Sequence, residues 1–168
     1  MDAKVEPIGD APVKPLAPVA PDLEAELHGY YFEDLEVGMT AIHARTITDA
    51  DIVMFSGISG DTNPLHLAAN FADGTQFEGR IAHGMLTAGF ISAVIGTKLP
   101  GPGCIYMSQS LRWNAPVRAG DSVLTRATIK SLNPEKGRAT METTCMVGDE
   151  VVIEGEALVK IPSRAGNG

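Results

Sequence analysis

The sequence is poor in cysteine: it has two, Cys104 and Cys145, and they form no Cys-x-x-Cys pair. Small secreted domains held together by disulfides carry several cysteines, and structural zinc sites use closely spaced pairs. The scarcity of cysteine therefore argues against a disulfide framework and against a structural zinc site. A reducing cytoplasm is the expected compartment.

Positive charge and long apolar runs are scarce as well. The chain has 13 Lys and Arg against 21 Asp and Glu, a net charge of -8. Nucleic acids and anionic membrane surfaces attract basic proteins, so neither is an expected partner. The chain begins without a basic segment followed by an apolar one, so we expect no secretory signal. No stretch approaches the ~18 uninterrupted apolar residues of a membrane span.

What is present suits one globular domain: 168 residues, 44% of them hydrophobic. The first 28 residues differ from the rest because they hold five of the 11 prolines. Proline removes backbone donors, and this stretch offers little for a core. We therefore expect a disordered tail over residues 1–28, a folded domain over 29–162 and a disordered C-terminus over 163–168.

Short elements are predicted at the start of the domain. Thr40–Thr46 has the pattern of a strand. Thr48 and Asp51 then form a capping-box pair, which predicts a short helix through Phe55. A helical turn is expected around residues 67–71.

Residues 83–98 are the one long helical candidate. They carry no charge between Gly84 and Thr97. A helix that is apolar on all sides is expected to be buried on all sides.

After this helix the apolar pattern changes to a period of two, which is typical of strands. Four such runs follow, with turn signals at residues 119–121, 133–137 and 148–149. We expect the four strands to pair in sequence order as an antiparallel meander that curls around the helix. This is an α+β architecture, the hot-dog fold. The first run places the following residues on one face: Ile105, Met107, Gln109, Leu111 and Trp113.

The reactive side chains gather in the loop at residues 60–66, Gly-Asp-Thr-Asn-Pro-Leu-His. Pro64 stiffens this loop, so Asp61 and His66 could hold one water molecule between them. An ionised carboxylate and an imidazole near neutrality suit a general base and a general acid. The residue types also fit an Asx-turn beside a surface histidine, and this alternative stays open. Together with His83, the pair matches no standard metal-ligand spacing, so no metal is expected.

The start of the long helix is a second candidate site. Helix N-termini present unpaired backbone N–H groups, and a glycine there lets a ligand approach. The Gly84 amide could thus stabilise an oxyanion on a thioester, although a glycine required only by packing fits equally well. Ser92 could contact an acyl group, or it could bond its own helix backbone. Ile95 lies one turn further on roughly the same face.

The loop is where the sequence resembles a known family, the MaoC-like (R)-specific enoyl-CoA hydratases. Residues 61–66 fit that family's motif of Asp, any residue, Asn, Pro, any residue and His. The resemblance covers about residues 30–161. It continues through Phe77-Glu78, Ile81-Ala82-His83-Gly84-Met85-Leu86, Leu99-Pro100-Gly101, Tyr106 and Gln109-Ser110-Leu111.

The resemblance implies a reaction and a role for each site residue. Asp61 and His66 would orient and activate a water for syn addition to a trans-2-enoyl-CoA, which yields (R)-3-hydroxyacyl-CoA. The same chemistry in reverse dehydrates 3-hydroxybutyryl-CoA. The oxyanion donor would be the backbone amide of Gly84. Asn63 and Ser92 would support the site.

The resemblance also bears on binding. His83 would support the site and Ile95 would border the acyl pocket, with no cofactor. An acidic chain needs local cations for the phosphates of an acyl-CoA substrate. Lys98, Arg112 and Arg118 are candidates, although a solvated surface charge explains each one more simply. Homodimers or higher homo-oligomers are expected, as in the family.

Two other classes of function stay open. Other hot-dog enzymes, the acyl-CoA thioesterases and acyl-carrier-protein dehydratases, commonly carry an acidic catalytic residue on the long helix, and this helix has none. A non-catalytic acyl-CoA binding module would not need the Asp61 and His66 pair. Fatty acid metabolism and polyhydroxyalkanoate synthesis both use the hydration chemistry, so the pathway stays open too.

Overall fold

The computed structural model of the protein describes residues 23–165. The prolines expected in a disordered tail lie outside this range. Residues 23–28 fall within this range and are ordered, although the expected disordered tail includes them. Leu23–Leu27 forms a short helix, α1, and the ring of His28 stacks on Tyr31 at 4.1 Å between centroids. This stacking gives the end of the tail a partner that its composition does not reveal.

The C-terminal segment also differs from the expectation of disorder. Ser163 and Arg164 bond to the side chain of Glu33, and Arg164 forms an ion pair with Asp34 at 2.7 Å. Residues 163–165 therefore pack against the 3-10 turn at Phe32–Asp34. Residues 166–168 lie outside the described range.

The core of the described chain is a five-stranded antiparallel sheet in the order β1-β3-β4-β5-β2. A long helix, α5, packs against four of the five strands. The hot-dog architecture is thus confirmed. The strands are β1 (Thr40–Thr46), β2 (Ile105–Trp113), β3 (Ser122–Asn133), β4 (Arg138–Val147) and β5 (Glu150–Lys160).

The expected meander is correct for β3, β4 and β5 but wrong for β2. The chain crosses over after Trp113, so β2 pairs with β5 at the far edge and β1 pairs with β3. Period-two alternation predicts which face a side chain occupies, but it does not predict the partner strand. The pairing of β2 also shifts register between Tyr106 and Ser108. This irregularity breaks the single face expected for the strand, and Met107 is exposed while Tyr106 is half-buried.

Helix α2 (Asp49–Ser59) begins at the predicted capping box, with Thr48 as its N-cap. The Thr48 hydroxyl and backbone N–H both bond to the Asp51 carboxylate and keep its pKa below the usual value. The helix runs one turn past Phe55, because a single internal glycine such as Gly57 costs only ~1 kcal/mol. It ends at Gly60, which adopts φ 77. Two short helices follow, α3 (Pro64–Leu67) and α4 (Ala69–Ala72), where one turn was expected.

Helix α5 (Gly84–Thr97) confirms the long helical prediction, with His83 and Lys98 as its caps. Its core face packs into the curve of the sheet. The expectation that it is buried on all sides is wrong, because the sheet covers one side and the described residues leave the other open. The exposed positions are Met85, Gly89, Ser92, Gly96 and Thr97. No helix within residues 23–165 is long and apolar enough to cross a membrane.

Candidate active site

Asp61 lies at the C-terminal end of α2, in a loop fixed at both ends. The Gly60 N–H bonds to the Ser56 carbonyl at 2.9 Å, which closes the helix. The Asp61 carboxylate then accepts a hydrogen bond from the Asn63 N–H at 3.2 Å, and Asn63 caps α3 through the Leu65 N–H at 3.1 Å. The Asx-turn alternative is therefore present, and it orients an exposed carboxylate.

His66 is buried, so the alternative of a surface histidine is wrong. Its side chain is held by the segment before α5, because its Nδ1 lies 2.8 Å from the Ile81 carbonyl oxygen. A carbonyl oxygen can only accept, so Nδ1 carries the proton. Nε2 of the neutral ring is then free to accept a proton.

His83 contacts both predicted catalytic residues. Its Nε2 donates to the backbone carbonyl of Asp61 at 3.0 Å and lies 3.3 Å from the Ser56 hydroxyl. Its ring lies 3.8 Å from the ring of His66, centroid to centroid. His83 is thus a bridge between the loop that carries Asp61 and the imidazole of His66. Its Nδ1 is buried, with no hydrogen-bond partner among the described residues.

Asp61, His66 and His83 form a compact polar cluster. One nitrogen or oxygen atom from each lies within 4.8 Å of the other two. The His66 and His83 rings lie 3.8 Å apart, centroid to centroid, and are tilted by 32°. Each ring has one nitrogen bonded to a carbonyl oxygen, Nδ1 of His66 to Ile81 and Nε2 of His83 to Asp61. A carboxylate beside two imidazoles suits proton transfer.

Two members of the cluster, Asp61 and His83, line a cavity of about 480 Å³, and His66 lies beside them, outside its lining. The lining is mainly apolar, with the Asp61 carboxylate, the start of α5 and the end of β2 around it. An apolar cavity with a few convergent polar groups is the usual form of a small-molecule site. The lining residues are Asp61, Phe77, Ile81, Ala82, His83, Gly84, Met85, Thr87, Trp113, Asn114, Ala115, Pro116, Val117 and Ile153.

Gly84 satisfies both explanations offered for it. It is the first residue of α5 and lines the cavity, so its amide is available to a ligand. It is also required by packing, because a Cβ at this position would lie 2.4 Å from Nε1 of Trp113. The close indole leaves no room for any side chain there.

Ser92 and Ile95 are not brought to this cavity. Ser92 is exposed on the open side of α5, while Ile95 is 1% exposed and packs in the core. The expectation that they share a face is wrong, because residues three apart differ by about 60° around a helix and the edge of the buried face falls between them. Neither is among the described residues that line the cavity.

The three candidate cations lie in different places. Lys98 donates to the Ile42 carbonyl at 2.6 Å, at the far end of α5 and about 20 Å from Gly84. Arg118 donates to the carbonyls of Phe77 and Arg80, so it braces a wall of the cavity. Arg112 is exposed and precedes the cavity residue Trp113.

Sequence reasoning missed several residues of the site. Trp113 was interpreted only as a strand residue, and Ser56, Thr87 and Ile153 were not singled out. One signal was present: the sole tryptophan of the chain stands where β2 ends, before Asn114-Ala115-Pro116. The others come from elements distant in sequence, and no local pattern could have placed them together.

The chain is similar to proteins of one known family. A family model described as "MaoC like domain" matches residues 35–151. A 3-hydroxybutyryl-CoA dehydratase from Methylorubrum extorquens is 55% identical over 139 residues, which is 83% of this chain and 88% of that protein. An (R)-specific enoyl-CoA hydratase from Rhodospirillum rubrum is 56% identical over 135 residues, 80% of this chain and 94% of that protein.

A solved structure agrees with these relatives. An (R)-hydratase from Aeromonas caviae, involved in PHA biosynthesis, superposes with a TM-score of 0.75 at 40% identity. The match covers 77% of this chain and 99% of that one.

Proposed function

Because the chain belongs to the MaoC-like domain family, as its sequence resemblance predicted, we propose that it works as an (R)-specific enoyl-CoA hydratase by the following mechanism. The enzyme hydrates trans-2-enoyl-CoA to (R)-3-hydroxyacyl-CoA, and catalyses the reverse dehydration. One observation supports the catalytic assignment most: Asp61 and Gly84 line the same apolar cavity, and a ring nitrogen of His66 lies within 4.8 Å of the Asp61 carboxylate.

The reaction starts from the polarity of the substrate. The thioester carbonyl withdraws electrons from the double bond, so C3 is electrophilic. Asp61 takes a proton from water as the water oxygen attacks C3. The electron pair moves to the thioester oxygen, where the Gly84 amide stabilises the developing negative charge. C2 then takes a proton from the Asp61 and His66 pair on the same face, which restores the Asp61 carboxylate, and the carbonyl re-forms.

His66 holds the attacking water and shares in the proton transfer. Its Nδ1–H is occupied by the Ile81 carbonyl, so Nε2 is the nitrogen that meets the water. His83 supports the pair by holding the Asp61 backbone and packing on His66. Asn63 shapes the loop through its cap on α3.

The test of this function is the fate of crotonyl-CoA. Hydration removes the conjugated enoyl thioester absorbance without releasing a thiol, whereas a thioesterase would release free CoA and a binding module would do neither. An (R)-specific 3-hydroxyacyl-CoA dehydrogenase should oxidise the product, and an (S)-specific one should not. Thiol release, or a product of (S) configuration, would contradict the proposal.

We also propose how the enzyme binds CoA, how it assembles and where it acts. Arg112 is the candidate for the CoA phosphates, because it is exposed beside the cavity residue Trp113. The open face of α5 and the exposed edge strands β1 and β2 suit a homodimer or higher homo-oligomer.

We place the enzyme in the cytoplasm, in fatty acid or polyhydroxyalkanoate metabolism, where acyl-CoA is available. The N-terminal residues are proposed to be dispensable for catalysis.

A further inference from the structure

The indole of Trp113 lines the cavity beside the start of α5. Its nitrogen is the indole atom nearest to the position that a Cβ on Gly84 would occupy, at 2.4 Å, with Cδ1 at 2.9 Å and Cε2 at 3.1 Å. Adding one carbon–carbon bond places Nε1 within about 4 Å of the Gly84 α-carbon. The indole and the Gly84 amide therefore border the same small region.

The Gly84 amide and the Trp113 indole N–H are both hydrogen-bond donors without an acceptor among the described residues. The Gly84 N–H belongs to the first turn of α5, where backbone N–H groups lack helical partners. The indole N–H can only donate, and it has no acceptor among residues 23–165. Trp113 is 48% exposed, so water can satisfy it while the cavity is empty. A substrate that displaces this water would need to offer an acceptor of its own.

We propose that the Trp113 indole N–H is a second donor to the thioester oxygen of the substrate, beside the amide of Gly84. This inference rests on the proposed function and deepens it. The thioester oxygen has two lone pairs, and its negative charge grows as water attacks C3. A donor on each side stabilises that charge in the transition state more than it stabilises the neutral carbonyl. Trp113 is then a catalytic residue.

The rival role for Trp113 is that of an aromatic platform for the CoA moiety. That role needs the ring and not its N–H group. The two roles differ in which ligand the indole N–H senses: a donor to the thioester responds to the acyl group, and a platform responds to CoA alone.

The chain offers a direct probe, because it contains one tryptophan. A ¹H–¹⁵N correlation spectrum of the full chain therefore has one indole N–H signal. We expect butyryl-CoA, which has the thioester but no double bond to hydrate, to move the indole proton downfield. Free CoA should leave it nearly unmoved. Equal shifts with the two ligands, or no shift at a butyryl-CoA concentration that inhibits hydration, would overturn the proposal.

Kinetics provide the second measurement. Trp113→Phe keeps an aromatic ring but removes the N–H, and we expect kcat for crotonyl-CoA to fall at least about tenfold with little change in KM. Tyr30→Phe also removes one polar group from a half-exposed aromatic ring, away from the cavity, and should leave both constants unchanged. A Trp113→Phe enzyme with normal kcat would refute the role.

The proposed hydratase function and the proposed role of Trp113 would be contradicted by different results. If the wild-type enzyme hydrates crotonyl-CoA but the indole does not respond to butyryl-CoA, the function stands and the role of Trp113 is wrong. If the wild-type enzyme does not hydrate crotonyl-CoA, the function itself is wrong. Should Trp113→Phe fail to fold, the spectrum of the wild-type enzyme still decides.

Discussion

Nε2 of His83 lies 3.0 Å from the backbone carbonyl oxygen of Asp61, so the N-cap residue of α5 holds the loop that carries the proposed base. The Ser56 hydroxyl lies 3.3 Å from the same nitrogen. Since the Ser56 carbonyl also accepts the Gly60 N–H, the loop is tied at its root and along its backbone. The position of Asp61 therefore depends on both Ser56 and His83.

The first prediction concerns Asp61 and His66 themselves. Asp61→Asn removes the proton acceptor and His66→Gln removes the imidazole that meets the water. Each should lower kcat for crotonyl-CoA hydration by at least ~100-fold, the scale of general acid–base groups. Asp61 is exposed, so the melting temperature of its variant should hardly change. Near-normal turnover in either folded variant would remove that residue from the mechanism.

The second concerns His83. His83→Ala removes the bond to the Asp61 carbonyl and the ring against His66, so the pair loses its alignment. Small misplacements of catalytic groups can cost ~100-fold in rate, and we expect kcat to fall ~10- to 100-fold with KM little changed. Ser56→Ala removes one neutral hydrogen bond, worth ~1 kcal/mol, and should cost no more than about fivefold. Equal losses in the two variants would show that His83 acts through the fold alone.

Much of this architecture was predictable, because it depends on local pattern. The period-two pattern predicted the strands, and the buried residues of β3, Val123, Thr125, Ala127 and Ile129, recur with that period. The capping box located the start of α2, and the uncharged run located α5. The loop of Asp61 and His66 was found because its residue types and spacing are themselves the motif. Each of these signals is contained in a single segment.

What was missed depends on contacts between segments. β2 pairs with β5 because the chain crosses over after Trp113, and the period-two pattern of the sequence does not reveal this crossover. The separation of Ser92 from Ile95 depends on where the sheet stops covering α5. The place of Trp113 over Gly84 joins a strand end to a helix start 29 positions earlier in the chain. Glycine at position 84 has a packing cause and a functional one, and only the structure shows that both apply.

The third prediction concerns that glycine. In Gly84→Ala the added methyl group would overlap the indole of Trp113, which must move. We expect kcat/KM to fall at least about tenfold through misplacement of the site, with a change in the emission of the single tryptophan. Gly89→Ala is the matched control on the same helix, because its Cβ would meet nothing within 4 Å of the described chain. It should keep normal activity and gain up to ~1 kcal/mol of helix stability.

The fourth concerns acid stability at the start of α2. Because the Thr48 bonds lower the pKa of Asp51 in the folded state, its carboxylate stabilises the fold above its unfolded pKa of ~3.9. This contribution is lost as pH falls through the lower folded pKa. Asp51→Asn should therefore lower the melting temperature at pH 6, and the difference from wild type should shrink below about pH 4. A difference that grows on acidification would contradict the assignment.

The last prediction concerns acyl chain length and replaces the role expected for Ile95. Ile153 and Ile95 are both 1% exposed, but only Ile153 lines the cavity. Shortening either isoleucine to alanine should cost about 2–5 kcal/mol of stability, which thermal melts can measure. The two variants thus form a matched pair in packing that differs in contact with the cavity.

The pair should separate when kcat/KM is compared across enoyl-CoA chain lengths. Ile153→Ala enlarges the cavity, so longer chains gain room in which each buried methylene is worth ~0.8 kcal/mol. The ratio of kcat/KM for a longer enoyl-CoA to that for crotonyl-CoA should rise in Ile153→Ala and stay as in wild type in Ile95→Ala. If Ile95→Ala changes the profile and Ile153→Ala does not, the acyl chain runs behind α5 rather than into the cavity lined by Gly84 and Trp113.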